Sequence, residues 1–144
     1  MVPEMAGLLH FKLERYPDAI KACRQLLEIQ GLRLLREIQA RIVIWRSYFE
    51  MYEHLSLSQL DEMHREYDAL RIYLQRDTKL SPQKRERFAN FTRLFYKLIR
   101  LLDNPVSSNE TDALKALKDE VIQTPNFAYE DWLLRAIDKR GWRK

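Results

Sequence analysis

One cysteine, Cys23, leaves no partner for an internal disulfide, so the fold must stand on packing alone. A lone thiol of this kind fits a reducing, cytoplasmic setting. Glycine and proline are scarce as well, with three of the first and five of the second. Gly7, Gly31 and Gly141, and Pro3, Pro17, Pro82, Pro105 and Pro125, all fall where a helix starts, ends or packs tightly, which leaves almost no turn signal for a β-sheet. No uninterrupted apolar run approaches the ~18 residues of a membrane span, and no signal-peptide pattern stands ahead of the first helix. Glycine-rich phosphate loops, Gly-x-Ser-x-Gly and Cys-x-x-Cys are missing too, so no motif calls for a nucleotide, a metal or another cofactor.

What the chain does have is 46% apolar content over 144 residues, enough for one globular domain with a real core. The spacing of apolar residues predicts an all-α fold of about seven helices. The first two are expected near residues 3–14 and 17–29. A third, over 32–54, carries one apolar stripe of Leu35, Ile38, Ile42, Trp45, Phe49 and Tyr52 and another of Ile44, Tyr48, Met51 and Leu55. A helix apolar on two sides packs on two sides. The fourth, over 57–76, follows Ser56 with Gln59 in capping-box spacing, and the fifth starts at Ser81-Pro82 and runs to Asp103 with Phe88, Phe91, Phe95, Leu98 and Leu102 inward. Asn104 to Asn109 reads as the most mobile connection. Ser107 and Glu110 then fit a cap for a sixth helix ending near Gln123, and a seventh begins at Thr124-Pro125-Asn126 and ends before Gly141, offering Trp132, Leu133, Ala136 and Ile137 to close a helical stack.

The stretch Gly7 to Leu27 is the most informative. Gly7 has no side chain and Ala19 nearly none, so two helices carrying them can approach closely. Arg15-Tyr16-Pro17-Asp18 is the corner between them, with Pro17 suited to a first turn, Asp18 placing negative charge there, and Tyr16 as a wedge. Ile20, Cys23, Leu26 and Leu27 form a core-facing stripe on the second helix. In the spacing of Gly7, Tyr16 and Ala19 the chain resembles the tetratricopeptide repeat, over roughly one 34-residue period. Cys23 stands where that family usually has an aromatic residue, His10 replaces another aromatic, and Gly31 lies near the place of the family's terminal proline.

A degenerate second pair can be laid over Leu32 to Arg76, with Leu60, His64 and Tyr67 at the sites of Ala19, Cys23 and Leu26. The resemblance implies antiparallel hairpins stacked into a compact bundle or short solenoid: two such pairs over 1–78 and a helical cap over 79–144, in one domain. It also implies a groove for a peptide or helix of a partner protein between the first and third helices, lined by His10, Glu14, Arg41 and Arg46. With the first helix starting almost at Met1, the register is also that of a piece of a longer helical protein, whose apolar edge invites self-association.

Charge adds one more surface. Between Lys79 and Leu102 seven basic residues face one acidic one, a net +6 that exceeds the +4 of the whole chain. Arg93, Lys97 and Arg100 lie about 180° from Phe88, Phe95 and Leu102 on a helical wheel, so they point away from the core. Lys139, Arg140, Arg143 and Lys144 form a second basic knot around Trp142. Counterion release could draw nucleic acid to these residues, while a plain solvated helix face is the simpler reading.

Catalysis finds less support. Cys23 on an apolar stripe reads as a core thiol. His10 and His64 read as packing histidines, and Tyr16, Trp45 and Trp132 as core or edge aromatics. Glu50 with His54 and Asp61 with His64 have helical spacing for metal ligands, yet the matching carboxylates of a di-iron bundle are not in the sequence. The expectation is a non-enzymatic protein-interaction or scaffold module without cofactor or membrane contact, electrostatic nucleic-acid binding being the alternative.

Overall fold

Local start and stop signals set most of the helix bounds. The structure, a computed structural model, describes residues 3–76, 79–103 and 110–141. Their helices are α1 (Pro3–Lys12), α2 (Tyr16–Leu27), α3 (Leu34–Glu50), α4 (Leu57–Arg76), α5 (Pro82–Asp103), α6 (Glu110–Gln123) and α7 (Glu130–Gly141), with a turn of 3-10 helix at Tyr52–His54. Among the described residues none lies in a strand, and the fold is all-α. The Ser107 cap, the Asn104–Asn109 connection, Trp142, Arg143 and Lys144 lie outside the described residues. The chain divides into two units, Met1–Leu80 and Ser81–Lys144.

In the first unit α1 stops two residues before the expected end, because Glu14 turns left-handed at φ 60. The Arg15 N–H donates to the His10 carbonyl at 2.8 Å and the Glu14 N–H to the Phe11 carbonyl at 3.0 Å, the paired bonds that satisfy a helix C-terminus when the next residue is left-handed. The chain then re-enters a helix at once. Tyr16 closes the corner by setting its ring edge against Phe11, centroids 5.5 Å apart.

α1 and α2 touch where their smallest residues meet. A Cβ added to Gly7 would lie 2.3 Å from the Cys23 sulfur and 3.5 Å from the Ala19 carbonyl oxygen, and Ala19 is fully buried. Gly31, at φ 75, then carries the chain out of α2. Arg33 is extended, so α3 begins at Leu34 and not at 32, and the run expected to 54 ends at Glu50, where Met51 leaves helical geometry at φ −97, ψ 12 and Tyr52–His54 tighten into the 3-10 turn. Every residue from Ile42 to Phe49 is buried. A helix so enclosed needs neighbours on several sides, and α1, α2 and α4 supply them. α4 opens on the expected capping box: the Gln59 N–H donates to Ser56 Oγ at 3.2 Å, and the Ser56 N–H to Gln59 Oε1 at 2.9 Å. Its buried side is Met63, Glu66, Leu70 and Leu74, while Leu60, His64 and Tyr67, the positions expected to face inward, are only half-buried. The buried side of α4 is therefore rotated from the one the sequence suggested.

In the second unit the Lys84 N–H donates to Ser81 Oγ at 3.2 Å, capping α5. Phe88, Phe91, Leu94, Phe95, Leu98 and Ile99 are buried along it; Leu102 is half-buried. Phe91 is the centre of an aromatic cluster with Phe95, Phe127, Tyr129 and Trp132, and Trp132 meets Phe95 edge-on at 5.1 Å. α7 starts six residues later than expected. Asn126 and Tyr129 are both left-handed, at φ 57 and 55, and the turn they shape is tied to α5. Asn126 Nδ2 donates to the Gln83 carbonyl at 2.8 Å, Asn90 Nδ2 to the Asn126 carbonyl at 3.2 Å, and the Ala128 N–H to the Arg87 carbonyl at 3.3 Å. Pro125 thus begins a docked turn and not a helix.

Candidate functional site

The four residues expected to line a groove between the first and third helices sit in different settings. His10 is half-buried on α1, and Glu14 is exposed at the left-handed corner. Arg46 is only 5% exposed and lays its guanidinium over the Phe11 ring of α1, 4.3 Å from its centroid. Arg41, five residues earlier and so about 140° around α3, faces α4 instead. The two arginines therefore serve different helix contacts, Arg46 with α1 and Arg41 with α4.

Arg41 belongs to a polar seam joining α2, α3 and α4. Its guanidinium lies 3.6 Å from Glu66 and 3.7 Å from Glu37, with the Tyr73 ring beneath it. Arg24 reaches the same carboxylate at 3.8 Å and donates to the Tyr48 hydroxyl at 3.2 Å and to Glu62 at 3.3 Å. The Tyr48 hydroxyl donates to Glu62, and that of Tyr73 to Glu37. Burial pushes the Glu66 carboxyl above its ordinary range against the pull of Arg41 and Arg24, and burial also raises Tyr48, helped by Glu62. Each charge faces a protein partner, so the seam orders helices. No sequence pattern reveals it, because its members come from three helices.

The side chains with most chemical potential are likewise committed to packing. Burial lifts the Cys23 thiol to about 11, which nearby Arg46 only partly opposes, so the sulfur stays protonated and enclosed. Tyr16 is pushed up to about 12 by burial and by Glu50 and Glu14. Among the described residues no three His, Cys, Asp or Glu gather as metal ligands would.

An open cleft of about 500 Å³ does exist, in the second unit, between α5 and α6. Its floor is Leu101, Ala113, Ala116 and Leu117; its rims carry Lys97 and Arg100 from α5 and Glu120 from α6. Glu120 accepts from Lys97 Nζ at 2.9 Å and from Arg93 Nη1 at 3.0 Å, and these bonds, Lys97 first, hold its carboxyl below the ordinary range. Arg93, Lys97 and Arg100 are exposed, as the helical wheel predicts, but their charge is not bare. The acid that answers two of them comes from 23 and 27 residues along the chain, a distance no local pattern bridges. At the end of α7 Lys139 is exposed, Arg140 is half-buried and engaged, and the neighbouring Asp138 takes Lys118 at 2.8 Å. Leu8 and Leu9 on α1 and Leu13 just after it are exposed at 42%, 39% and 51%.

Compared with known proteins, the chain matches no family model, no curated protein and no solved structure. The tetratricopeptide likeness therefore rests on Gly7, Tyr16 and Ala19 alone.

No helix among the described residues is long and apolar enough to cross a membrane.

Proposed function

We propose that this protein is a non-enzymatic interaction module, and that a peptide or helix of a partner protein docks in the cleft between α5 and α6. The observation that carries the reading is the composition of that cleft. An open apolar floor loses water contact when a partner covers it, which is the main favourable contribution to association. Ala113 and Ala116, one turn apart, are small enough to let a partner backbone come close, and the charged rims orient what lands between them. A tetratricopeptide-like reading of α1 and α2 is part of the proposal; the contact of Gly7 with Cys23 and Ala19 supports it, and the half-buried Leu60 and His64 limit it to that pair. A cytoplasmic setting agrees with the protonated Cys23. Electrostatic nucleic-acid binding is less favoured, because Glu120 already occupies Arg93 and Lys97.

The test is a library of helical peptides displayed and selected on the intact chain, then measured against Ala116→Arg, a change on an exposed position that fills the cleft. Selected peptides are expected to lose about ten-fold or more in affinity, on the order of 1.4 kcal/mol. Peptides that bind both proteins equally, or no enrichment at all, would refute docking at this site.

A further inference from the structure

We infer that the segment received by the α5–α6 cleft is an acidic amphipathic helix, whose carboxylates must share Lys97 with Glu120 and are held at the far end by Arg100. This rests on the interaction reading above and names its partner. Arg93, Lys97 and Arg100 follow one another at helical spacing on the solvent side of α5, so they present a row of cations about one turn apart. A second helix laid along the cleft presents acidic residues at the same pitch. Its apolar stripe, at i, i+3 and i+7, falls on Leu101, Leu117 and the two alanines.

The charge balance along the row is uneven. Glu120 holds Lys97 and Arg93 at 2.9 and 3.0 Å, while Arg100 has no ion-pair partner among the described residues. Arg100 is thus the first cation an incoming carboxylate meets at no cost to an existing pair. Lys97 comes second, and only in competition with Glu120. That competition makes Glu120 a built-in brake on affinity: it keeps the rim from binding any passing anion while admitting a partner that also covers the floor. A nucleic-acid backbone fits the arrangement less well, since its phosphates find nothing on the apolar floor and meet repulsion from Glu120.

The experiment uses fluorescence anisotropy on the full chain. The probe is a labelled amphipathic helical peptide of about 18 residues, above the length at which isolated helices are marginal in water, with Leu at i, i+3 and i+7 and Glu residues one turn apart on one flank. A second peptide has Gln for each Glu. The Glu peptide is expected to bind about three- to ten-fold more tightly than the Gln peptide, the scale of a few partly exposed ion pairs. Arg100→Gln should remove most of that preference, and Glu120→Gln should widen it, raising affinity for the Glu peptide by a few-fold more than for the Gln peptide. Equal binding of the two peptides, both lost with Ala116→Arg, would overturn the acidic partner and leave the docking site standing. Binding of either peptide that ignores Ala116→Arg would overturn both. A single-stranded RNA or a DNA duplex that outcompetes the Glu peptide would instead assign the rim to nucleic acid and overturn the inference, as would failure of the Glu peptide to bind.

Discussion

The two units handle charge in opposite ways. In Met1–Leu80 ionic groups are drawn inside: Arg46 lies under α1 against Phe11, and Glu66, 6% exposed, sits between Arg24 and Arg41. In Ser81–Lys144 the interior is aromatic and aliphatic around Phe91, and the ions stay on the surface with Glu120 and Asp138 as their partners. A buried ion pair gains little net stability over apolar packing, since desolvation consumes much of the attraction. Its effect is on which helices face each other. The first unit therefore uses charge to fix helix order, whereas the second is held by its aromatic cluster and leaves an open cleft with charged rims between α5 and α6.

The comparison is most sharply tested at the close helix contact of the first unit. Gly7→Ala sets a methyl group where the Cys23 sulfur already lies and is expected to cost about 1–3 kcal/mol, the usual range for overpacking. Adding Cys23→Ala removes the obstacle, so the double variant should be more stable than the sum of the single effects implies. Urea unfolding of the four proteins gives the coupling directly. A neutral Gly7→Ala would mean that the contact does not organise the unit.

Next in size are the left-handed corners, one in each unit. Glu14 is exposed and its side chain makes no hydrogen bond among the described residues, so Glu14→Gly relieves backbone strain at little loss and should stabilise by about 0.5–1 kcal/mol. Asn126 has a similar φ, but its amide donates to Gln83 and Glu86, and Asn126→Gly gives up both bonds. That substitution is expected to destabilise by about 1 kcal/mol, the net worth of such a bond. Thermal midpoints moving the same way for both would show that the turn before α7 is not docked through Asn126.

The smallest effect is a difference of sign with pH. Glu66 is raised from its ordinary 4.5 by burial, so the folded chain holds that proton more tightly than the unfolded one, and its contribution to stability is lost as pH rises from 4.5 through the raised value. Glu120 is lowered from 4.5 by Lys97 and Arg93, so its contribution is present above 4.5 and is lost as pH falls through the lowered value. Glu66→Gln should therefore make stability climb more steeply with pH just above 4.5, and Glu120→Gln should flatten the climb below it. Denaturation midpoints at half-unit pH steps measure both slopes. Equal slopes in wild type and Glu66→Gln would deny Glu66 its enclosed setting.

Local features were legible in advance. The bounds of α4 and its Ser56–Gln59 cap, the Ser81 cap of α5, and the meeting of Gly7 with Ala19 all depend on residues a few positions apart or on the absence of a side chain. Arg41 and Arg46 look equivalent in a sequence, and only the azimuth of α3 between its neighbours sends one to α4 and the other to Phe11. The turn at 124–129 was missed because Pro125 is a good first residue of a helix, and the bonds from Asn126, Asn90 and Ala128 that hold the chain otherwise are made across 36 to 43 residues.

By itself the sequence determined that this chain is all helix, where most helices begin, and which side of α5 meets water, because periodicity and capping act within a turn or two. Only the tertiary structure decided which charges are buried, which cations Glu120 answers, and that an open apolar cleft lies between α5 and α6. Those outcomes depend on distances of 3–4 Å between side chains far apart in the chain, which packing sets and no local pattern contains.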